Sequence, residues 1–141
     1  MAREENAALF QRMIDEMWNG RRLEVADELF VADAPNNIPI APDLPPGPAG
    51  AKALANLLLG AFPDLKISVD RVVTSDDRVA GRLIEQGTHQ GDFLGVAGTG
   101  KTVDFTRIGL FRIENGKIAE SWYEFDSLRV MQQIGAIPGG G

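Results

Sequence analysis

An arginine and a tyrosine stand where a predicted β-hairpin should turn them toward the protein interior. The segment from Lys101 to Asp126 is rich in β-branched and aromatic residues on both sides of Asn115-Gly116, a dipeptide typical of tight hairpin turns. Side chains alternate along a strand, so Arg107 and Tyr123 each fall on a largely apolar face. These faces carry Val103, Phe105, Arg107, Gly109 and Phe111 on the outgoing strand, and Ala119, Ser121, Tyr123 and Phe125 on the returning strand. If the two faces coincide, a polar pair lies within an apolar surface.

The chemistry of Arg107 depends on what its charge meets. A buried guanidinium stays charged and therefore needs a carboxylate or the oxyanion of a ligand beside it. Glu85 lies in the middle of the preceding predicted strand and shares a face with Leu83 and His89. Two interpretations follow: a structural ion pair between Glu85 and Arg107, or a site in which Glu85 has a raised pKa and moves protons.

Two further polar residues have a structural and a catalytic interpretation. His89 is the only histidine of the chain and lies at a strand end beside glycines. A lone histidine is commonly a hydrogen-bonded structural residue, and proton transfer is its alternative role. Asp126 directly precedes the last predicted helix, where an N-cap acceptor is needed, so capping is the favoured role. The aromatic side chains belong either to the core or to a pocket wall: Trp18, Phe62, Phe93, Phe105, Phe111 and Phe125.

The stretch from Gly95 to Thr102 fits the phosphate-loop pattern G-x-x-x-x-G-K-[ST]. That pattern binds phosphate only when a helix follows it, because the amides of the helix N-terminus hold the phosphate. Here Lys101 and Thr102 open a predicted strand. We therefore interpret the stretch as a connection between strands, without a nucleotide site.

Composition excludes several classes of protein. A chain of 141 residues predicts a single domain, residues 1–141, and its net charge of −6 argues against a nucleic-acid partner. With no cysteine and one histidine, we expect neither disulfides nor a metal site, and a cytoplasmic location. No apolar run reaches the roughly 20 residues that cross a membrane, and the charged start predicts no signal peptide.

Helices are predicted first and strands afterwards. The apolar period predicts three helices, which precede four hydrophobic strand patterns and a short final helix. Between the second and third helices, residues 32–50 contain six prolines and predict a loop with a short strand. This order is typical of an α+β fold with helices packed on one face of a curved antiparallel sheet. The helices are Glu4–Trp18, Leu23–Phe30, Ala51–Phe62 and Leu128–Ile134, and the strands are Asn37–Ile40, Lys66–Thr74, Arg78–His89, Thr102–Ile113 and Ile118–Phe125.

Together these motifs resemble the SnoaL-like polyketide cyclase (ester cyclase) group of the nuclear transport factor 2-like superfamily. The resemblance covers nearly the whole chain. It implies a cone-shaped barrel, in which a curved antiparallel sheet wraps around the N-terminal helices and a short C-terminal helix follows. It also implies an apolar internal pocket, no cofactor, and a homodimer formed through the sheet. The motifs are Asn19-Gly20, Ala61-Phe62-Pro63-Asp64-Leu65, Gly87 to Gly95, Phe111-Arg112-Ile113 with Asn115 to Ile118, and Trp122 with Asp126 and Gln132 to Gly135.

The resemblance transfers function only in part. It implies that the acid/base aspartate of the cyclases falls on Tyr123 and a histidine on Gly109. The pocket asparagine of the family falls on Asn36 or Asn37, and we assign its role to Asn37. Tyrosine, with an ordinary pKa near 10, is a poor general base but a competent proton donor.

The resulting hypothesis is a cyclase or isomerase that acts without cofactor on an apolar, oxygenated small molecule through an enol(ate). Arg107 and Tyr123 would hold the oxyanion, His89 or Glu85 would move the proton, and Asn37 would orient a carbonyl. One alternative is a non-catalytic module that binds a hydrophobic ligand. Another is an epoxide hydrolase-like enzyme, which the absent aspartate disfavours. The expected substrate-binding residues are Asn37, Trp18, Phe62, Phe93, Phe105, Phe111 and Trp122.

Overall fold

A computed structural model of the chain describes residues 2–138, so the two ends of the predicted domain, 1–141, lie outside it. The α+β fold class is confirmed, with helices at the N-terminus, a curved five-stranded sheet and a short last helix. The helices are α1 (Ala2–Arg12), which continues into a π-helical segment (Met13–Asn19), then a 3₁₀ turn (Leu23–Val25), α2 (Ala26–Leu29), α3 (Gly47–Ala61) and α4 (Ser127–Gln133). The strands are β1 (Asn36–Asn37), β2 (Lys66–Thr74), β3 (Arg78–Thr88), β4 (Thr102–Glu114) and β5 (Lys117–Phe125).

The sheet has the strand order β1-β5-β4-β3-β2. Its pairs β2–β3, β3–β4 and β4–β5 are antiparallel, whereas β1 pairs in parallel with β5. The four long strands thus form the predicted antiparallel sheet, and the two-residue strand β1 makes the whole sheet mixed. The predicted strand Asn37–Ile40 is also shorter and begins one residue earlier, at Asn36. Pro39 explains the early end, because proline has no N–H to donate to a neighbouring strand.

The hairpin of β4 and β5 forms as predicted. Asn115 and Gly116 have φ values of 51° and 76°, which match the left-handed turn that favours these residues. The inward residues of β4 are buried at every second position from Val103 to Ile113. Because Gly109 is the Cα partner of Tyr123, the two inner faces coincide.

The first helix differs from the predicted regular helix in its second half. From Met13 the chain adopts the wider π-helical turn and buries Met13, Ile14, Met17 and Trp18. The Asn19 amide holds the end of this segment against β2: its Nδ2 donates to the Ile67 carbonyl at 2.8 Å, and its Oδ1 accepts from the Ile67 N–H at 2.9 Å. Two of these side chains reach the inner face of the sheet: Met13 contacts Tyr123, and Trp18 contacts Arg107.

Three observations concern a nucleotide site, a membrane span and a metal site. Residues 99–101 lead into β4 and not into a helix, so the Gly95–Thr102 stretch lacks the helical N-terminus that a phosphate loop requires. Within residues 2–138 no helix is long and apolar enough to span a membrane, and no group of three or more acidic or histidine side chains could hold a metal ion.

Asp126 caps α4, as predicted from its position. Its Oδ1 accepts from the Arg129 N–H at 3.2 Å. The cap orients Val130 and Ile134, both buried, onto the core. We predict that Asp126→Ala lowers the free energy of unfolding by about 1 kcal/mol, because the first turn loses an acceptor. Asp126→Asn should keep most of the stability, since its amide oxygen can accept the same bond. Urea denaturation measures both variants; equal losses would mean that the carboxylate charge, not the cap, stabilises this helix.

Candidate active site

A buried ion pair joins β3 to β4 inside the curved sheet. Arg107 Nε donates to Glu85 Oε2 at 2.9 Å, and Arg107 Nη2 donates to Glu85 Oε1 at 2.7 Å. Both side chains are fully buried. Glu85 is thus the partner that the sequence suggested. The bidentate geometry matches the planar guanidinium to the carboxylate and makes this a strong form of charged hydrogen bond.

Aromatic rings enclose the guanidinium. Arg107 Cζ lies 4.3 Å from the ring centroid of Trp18 and 4.8 Å from those of Tyr123 and Phe125. Such contacts are attractive because the face of an aromatic ring is electronegative. Arg107 Nη1 nevertheless has no hydrogen-bond partner, and no other buried side-chain nitrogen or oxygen in residues 2–138 lacks one. A buried donor without an acceptor is costly, so Nη1 favours any oxygen that reaches it.

Burial sets the proton affinity of Glu85. Removal from water raises the pKa of its carboxyl group, and the charge and hydrogen bonds of Arg107 act in the opposite direction. Both carboxylate oxygens accept from Arg107, but each oxygen has a second lone pair. A protonated Glu85 can therefore still accept from Arg107, but the neutral carboxyl group no longer balances the buried guanidinium charge.

Tyr123 carries a buried hydroxyl group with only a weak partner. Its oxygen lies 3.8 Å from Met13 Sδ, and a thioether is a poor acceptor. Burial raises the pKa of Tyr123 to about 12, which the charge of Arg107 opposes and that of Glu85 reinforces. The hydroxyl is protonated at neutral pH, so Tyr123 can donate a hydrogen bond but cannot act as the base.

The Tyr123 ring forms one wall of an internal cavity. The space available to the centre of a water-sized molecule is about 10 Å³, roughly enough for one water. The wall is mainly apolar and includes Met13, Met17 and Trp18 from the π-helical segment. Its polar members besides Tyr123 are Asn36 and Ser121. In this closed state the cavity is far smaller than an ordinary ligand pocket.

Asn36 and Ser121 form the polar end of this cavity. Ser121 Oγ donates to Asn36 Oδ1 at 2.7 Å, and Asn36 Nδ2 donates to the carbonyls of Pro45 and Gly47 at 3.0 and 3.2 Å. Asn36 therefore ties the proline-rich loop to β5. Ser121 was not among the predicted site residues, although its place on the face of Tyr123 was a sufficient signal.

The structure corrects the choice of asparagine. Asn37 points to the outer side of the sheet, where its Nδ2 donates to Glu120 Oε2 at 3.1 Å and to the Ser121 carbonyl at 3.0 Å. Its side chain is exposed and does not line the cavity. Asn36 lines the cavity instead, because neighbouring residues of a strand face opposite sides.

Trp122 does not line the cavity, although it was predicted as a substrate-binding residue. It is half-buried on the face of β5 opposite to Tyr123, and its Cα partners are Leu110 and Asn37. It therefore belongs to the outer surface of the sheet.

His89 occupies a different part of the interior. Its Nδ1 lies 3.3 Å from the Thr99 N–H and 2.9 Å from Thr99 Oγ1, and its Nε2 lies 3.2 Å from the Val96 carbonyl. The Thr99 N–H donates to Nδ1, and the Val96 carbonyl can only accept, so Nε2 is the donor of that second bond. Both nitrogens are occupied, and Glu85 lies about 13 Å away along the strand. We therefore assign His89 a structural role: it holds the connection between β3 and β4 that contains Val96 and Thr99. Proton transfer is not its role in this assignment.

The predicted aromatic residues divide into two groups. Phe62 packs against Phe93 and Phe105, with ring centroids 5.3 and 5.9 Å apart, and also against His89 at 6.0 Å. This group belongs to the core, and none of its members lines the cavity. Phe111 packs edge-on against Tyr123 at 5.4 Å and supports the cavity wall from behind. Of the predicted aromatic ligand contacts, only Trp18 lines the cavity itself.

We predict that loss of Arg107 from the ion pair makes the stability of the protein depend on pH. Arg107→Leu should cost about 3–5 kcal/mol at neutral pH, because Glu85 is left buried and unpaired. Only burial then acts on the pKa of Glu85, which rises further above its unfolded value. A raised folded pKa gives stability that is present at low pH and lost as the pH rises through that pKa. The variant should therefore be more stable at pH 5 than at pH 8, by urea denaturation. Arg107→Leu with Glu85→Gln is the matched control and should lose this pH dependence; a pH-independent single variant would contradict the assignment.

Comparisons with known proteins agree with this architecture. The family model of the SnoaL-like polyketide cyclases matches residues 8–134. A protein from Jannaschia sp. CCS1, assigned as a SnoaL-like polyketide cyclase, is 28% identical with a TM-score of 0.86, over 97% of this chain and 96% of that one. AclR from Streptomyces galilaeus, assigned as a hydroxylase, is 30% identical with a TM-score of 0.83, over 96% of this chain and 98% of that one. IdmH from Streptomyces antibioticus, assigned as a polyketide cyclase, is 27% identical with a TM-score of 0.79, over 92% of this chain and 98% of that one.

No curated protein sequence matches the chain significantly. The family match, however, spans most of the chain and includes every residue of the ion pair and the cavity wall. The chain belongs to the SnoaL-like polyketide cyclase family.

Proposed function

We propose that the protein is an enzyme that cyclises or isomerises an apolar, oxygenated small molecule through an enol(ate), without a cofactor. The observation that carries this proposal is the Tyr123 hydroxyl, a protonated donor in the cavity wall. Within residues 2–138 its only hydrogen-bond partner is the weak thioether acceptor of Met13. A carbonyl oxygen would be a far stronger acceptor. Membership of a cyclase family supports the reaction class.

The oxyanion would be stabilised by Tyr123 and Arg107. Negative charge develops on a carbonyl oxygen when an enolate forms, and a buried donor aimed at that oxygen stabilises the transition state strongly. The Arg107 guanidinium lies against the Tyr123 ring, 4.8 Å from its centroid. In this water-poor surrounding, its charge favours a negative substrate oxygen that accepts a hydrogen bond from the Tyr123 hydroxyl.

Glu85 is the proton carrier that we assign. A proton leaves the carbon beside the carbonyl for the Glu85 carboxylate, and the electron pair of the broken C–H bond moves to the carbonyl oxygen. In a cyclisation the enolate carbon then bonds to a second carbonyl carbon of the same molecule. The oxygen of that second carbonyl takes the proton back from Glu85. The burial that raises the pKa of Glu85 brings its basicity closer to that required near neutral pH.

Substrate binding requires the cavity to widen. The closed space of about 10 Å³ admits roughly one water, so side chains of the wall must move. Met13 and Met17 suit this, because unbranched thioether side chains adapt easily to a new shape. Asn36 and Ser121 would orient a second carbonyl at the polar end.

A second candidate function is non-catalytic binding of a hydrophobic ligand. The specific observation in its favour is that both oxygens of Glu85 are held by Arg107, and that no carboxylate lines the cavity. In this case Tyr123 would only hydrogen-bond a carbonyl of the ligand. The two functions differ in whether the protein accelerates proton loss from carbon.

Proton exchange in D₂O tests the proposed chemistry without knowledge of the natural substrate. The aryl ketone α-tetralone is apolar and has exchangeable protons beside its carbonyl, which NMR follows directly. We predict that the protein accelerates this exchange and that Tyr123→Phe reduces the acceleration by roughly 10²–10³-fold, as for loss of one oxyanion donor. Tyr123→Phe removes only the hydroxyl, so the fold should remain.

Glu85→Gln separates the two functions, since glutamine has nearly the size of glutamate but cannot take up a proton. Its amide can accept only one of the two Arg107 hydrogen bonds, so urea denaturation must show that the variant stays folded. Loss of exchange with retained α-tetralone binding supports the enzyme. If the wild-type protein binds α-tetralone but exchanges its protons no faster than buffer does, the binding function is favoured instead.

We also propose a homodimer formed through the outer face of the sheet. Ile108 and Leu110 are 52% and 38% exposed there, next to the half-buried Trp122. Exposed apolar patches of this kind are commonly covered by a partner, and burying two such faces together removes them from water. A second copy of the chain presents the same patch.

Sedimentation at micromolar concentration should give twice the chain mass of 15.2 kDa. Leu110→Glu should shift the protein to monomer, because a carboxylate would be buried in the interface. Leu128→Glu, at a 59% exposed leucine of α4, is the matched control and should remain dimeric. A monomeric wild-type protein would contradict the proposal.

A further inference from the structure

Two glycines lie side by side on the inner face of the sheet. Gly81 of β3 and Gly109 of β4 are Cα partners, and Gly109 is also the Cα partner of Tyr123 on β5. Glycine weakens a strand, because it loses much conformational freedom on folding and has no side chain to pack. Neither glycine has a positive φ. Backbone conformation therefore does not require glycine at positions 81 and 109. The remaining reason for glycine there is the lack of space for a side chain above the strand.

Aromatic rings fill that space. A Cβ on Gly109 would stand 2.7 Å from Tyr123 Cε1, 3.0 Å from Tyr123 Cδ1 and 2.9 Å from Phe111 Cε2. A Cβ on Gly81 would overlap the Phe10 ring in the same way. The ring of Tyr123 thus rests directly on the bare backbone of β4, and any larger residue at position 109 must displace it.

We propose that Gly109 is a positioning residue for Tyr123, a role that rests on the function proposed above. The glycine lets the ring lie against β4, where Phe111 meets it edge-on at 5.4 Å and the Arg107 guanidinium lies 4.8 Å from its centroid. In that position the hydroxyl faces the cavity and Met13. The position of the Tyr123 hydroxyl therefore depends on glycine at position 109, its cross-strand neighbour.

Gly81 provides a matched control within the same row of the sheet. Its added Cβ would displace Phe10, which packs against Phe111 at 5.7 Å and does not line the cavity. Gly81→Ala and Gly109→Ala therefore introduce the same methyl group on the same face. Both should lower the melting temperature, because core overpacking is destabilising. Only Gly109→Ala should move Tyr123.

The chain has a single tyrosine, so its ring can be observed without ambiguity. With tyrosine labelled by ¹³C at Cζ, the wild-type protein gives one resonance that reports the surroundings of the Tyr123 hydroxyl. We expect Gly109→Ala to shift this resonance and Gly81→Ala to leave it near the wild-type position. In the α-tetralone exchange assay, Gly109→Ala should lose about 10²-fold in rate, as expected when a reacting group is misplaced by about 1 Å.

Three results would overturn the proposal: an unshifted Cζ resonance in Gly109→Ala, equal shifts in both glycine variants, or a shift without any effect on an exchange that the wild type catalyses. If the wild type does not catalyse exchange, the proposed function fails, and the resonance still decides whether Gly109 places the ring.

If Gly109→Ala does not fold, the same substitution in a Tyr123→Ala background decides the question by its melting temperature. Removing the ring should relieve most of the cost of the methyl group at 109 and leave the cost of Gly81→Ala unchanged. An undiminished cost at 109 would overturn the proposal.

Discussion

The ion pair between Glu85 and Arg107 is the constraint on which the interior depends. Two charges removed from water cost several kilocalories per mole each, and good geometry recovers that cost only when the charges meet closely. The bidentate bonds of 2.9 and 2.7 Å supply this geometry across β3 and β4. The rings of Trp18, Tyr123 and Phe125 then replace water around the guanidinium. The π-helical segment that carries Trp18 is thus part of the same arrangement.

This pair also decides the character of the cavity. Because the two buried charges cancel, the interior presents dipoles and aromatic faces instead of net charge, and its one polar wall consists of neutral groups. Tyr123 is the central one, with a pKa raised to about 12. Such a site selects ligands that can accept a hydrogen bond. A carbonyl that accepts from Tyr123 does so in a cavity with room for roughly one water, and one donor has a large effect where water is scarce.

Alternation along strands made much of this predictable. The period of two places Arg107, Phe111 and Tyr123 on one face, and the charge of Arg107 required a partner that Glu85 supplies. Two assignments were wrong where the resemblance was preferred to the alternation of side chains along the strand. Asn37 and Trp122 both lie one residue away from an inward position, and a shift of one residue moves a side chain to the opposite face. Asn36 and Ser121 hold the inward places.

Other features had no local signal. The π-helical turn of Met13–Asn19 ends at Asn19, whose side chain bonds to the backbone of Ile67, 48 residues away. The occupation of both His89 nitrogens depends on how the connection containing Val96 and Thr99 folds back over the strand end. Such contacts arise from tertiary packing and outweigh the intrinsic preference of a segment.

The walls of the cavity differ in how readily they can move. On the sheet side, Tyr123 is held by the β4–β5 ladder, by its contact with Gly109 and by the ion pair behind it, so displacement there disrupts several interactions at once. On the opposite side, the proline-rich loop is tied to β5 by the two-residue strand β1 and by the Asn36 amide. Few hydrogen bonds must break to move this side, and short, lightly bonded segments open at low free-energy cost. The Tyr123 hydroxyl therefore stays in place, while the proline-rich loop, Met13 and Met17 move to change the volume of the cavity.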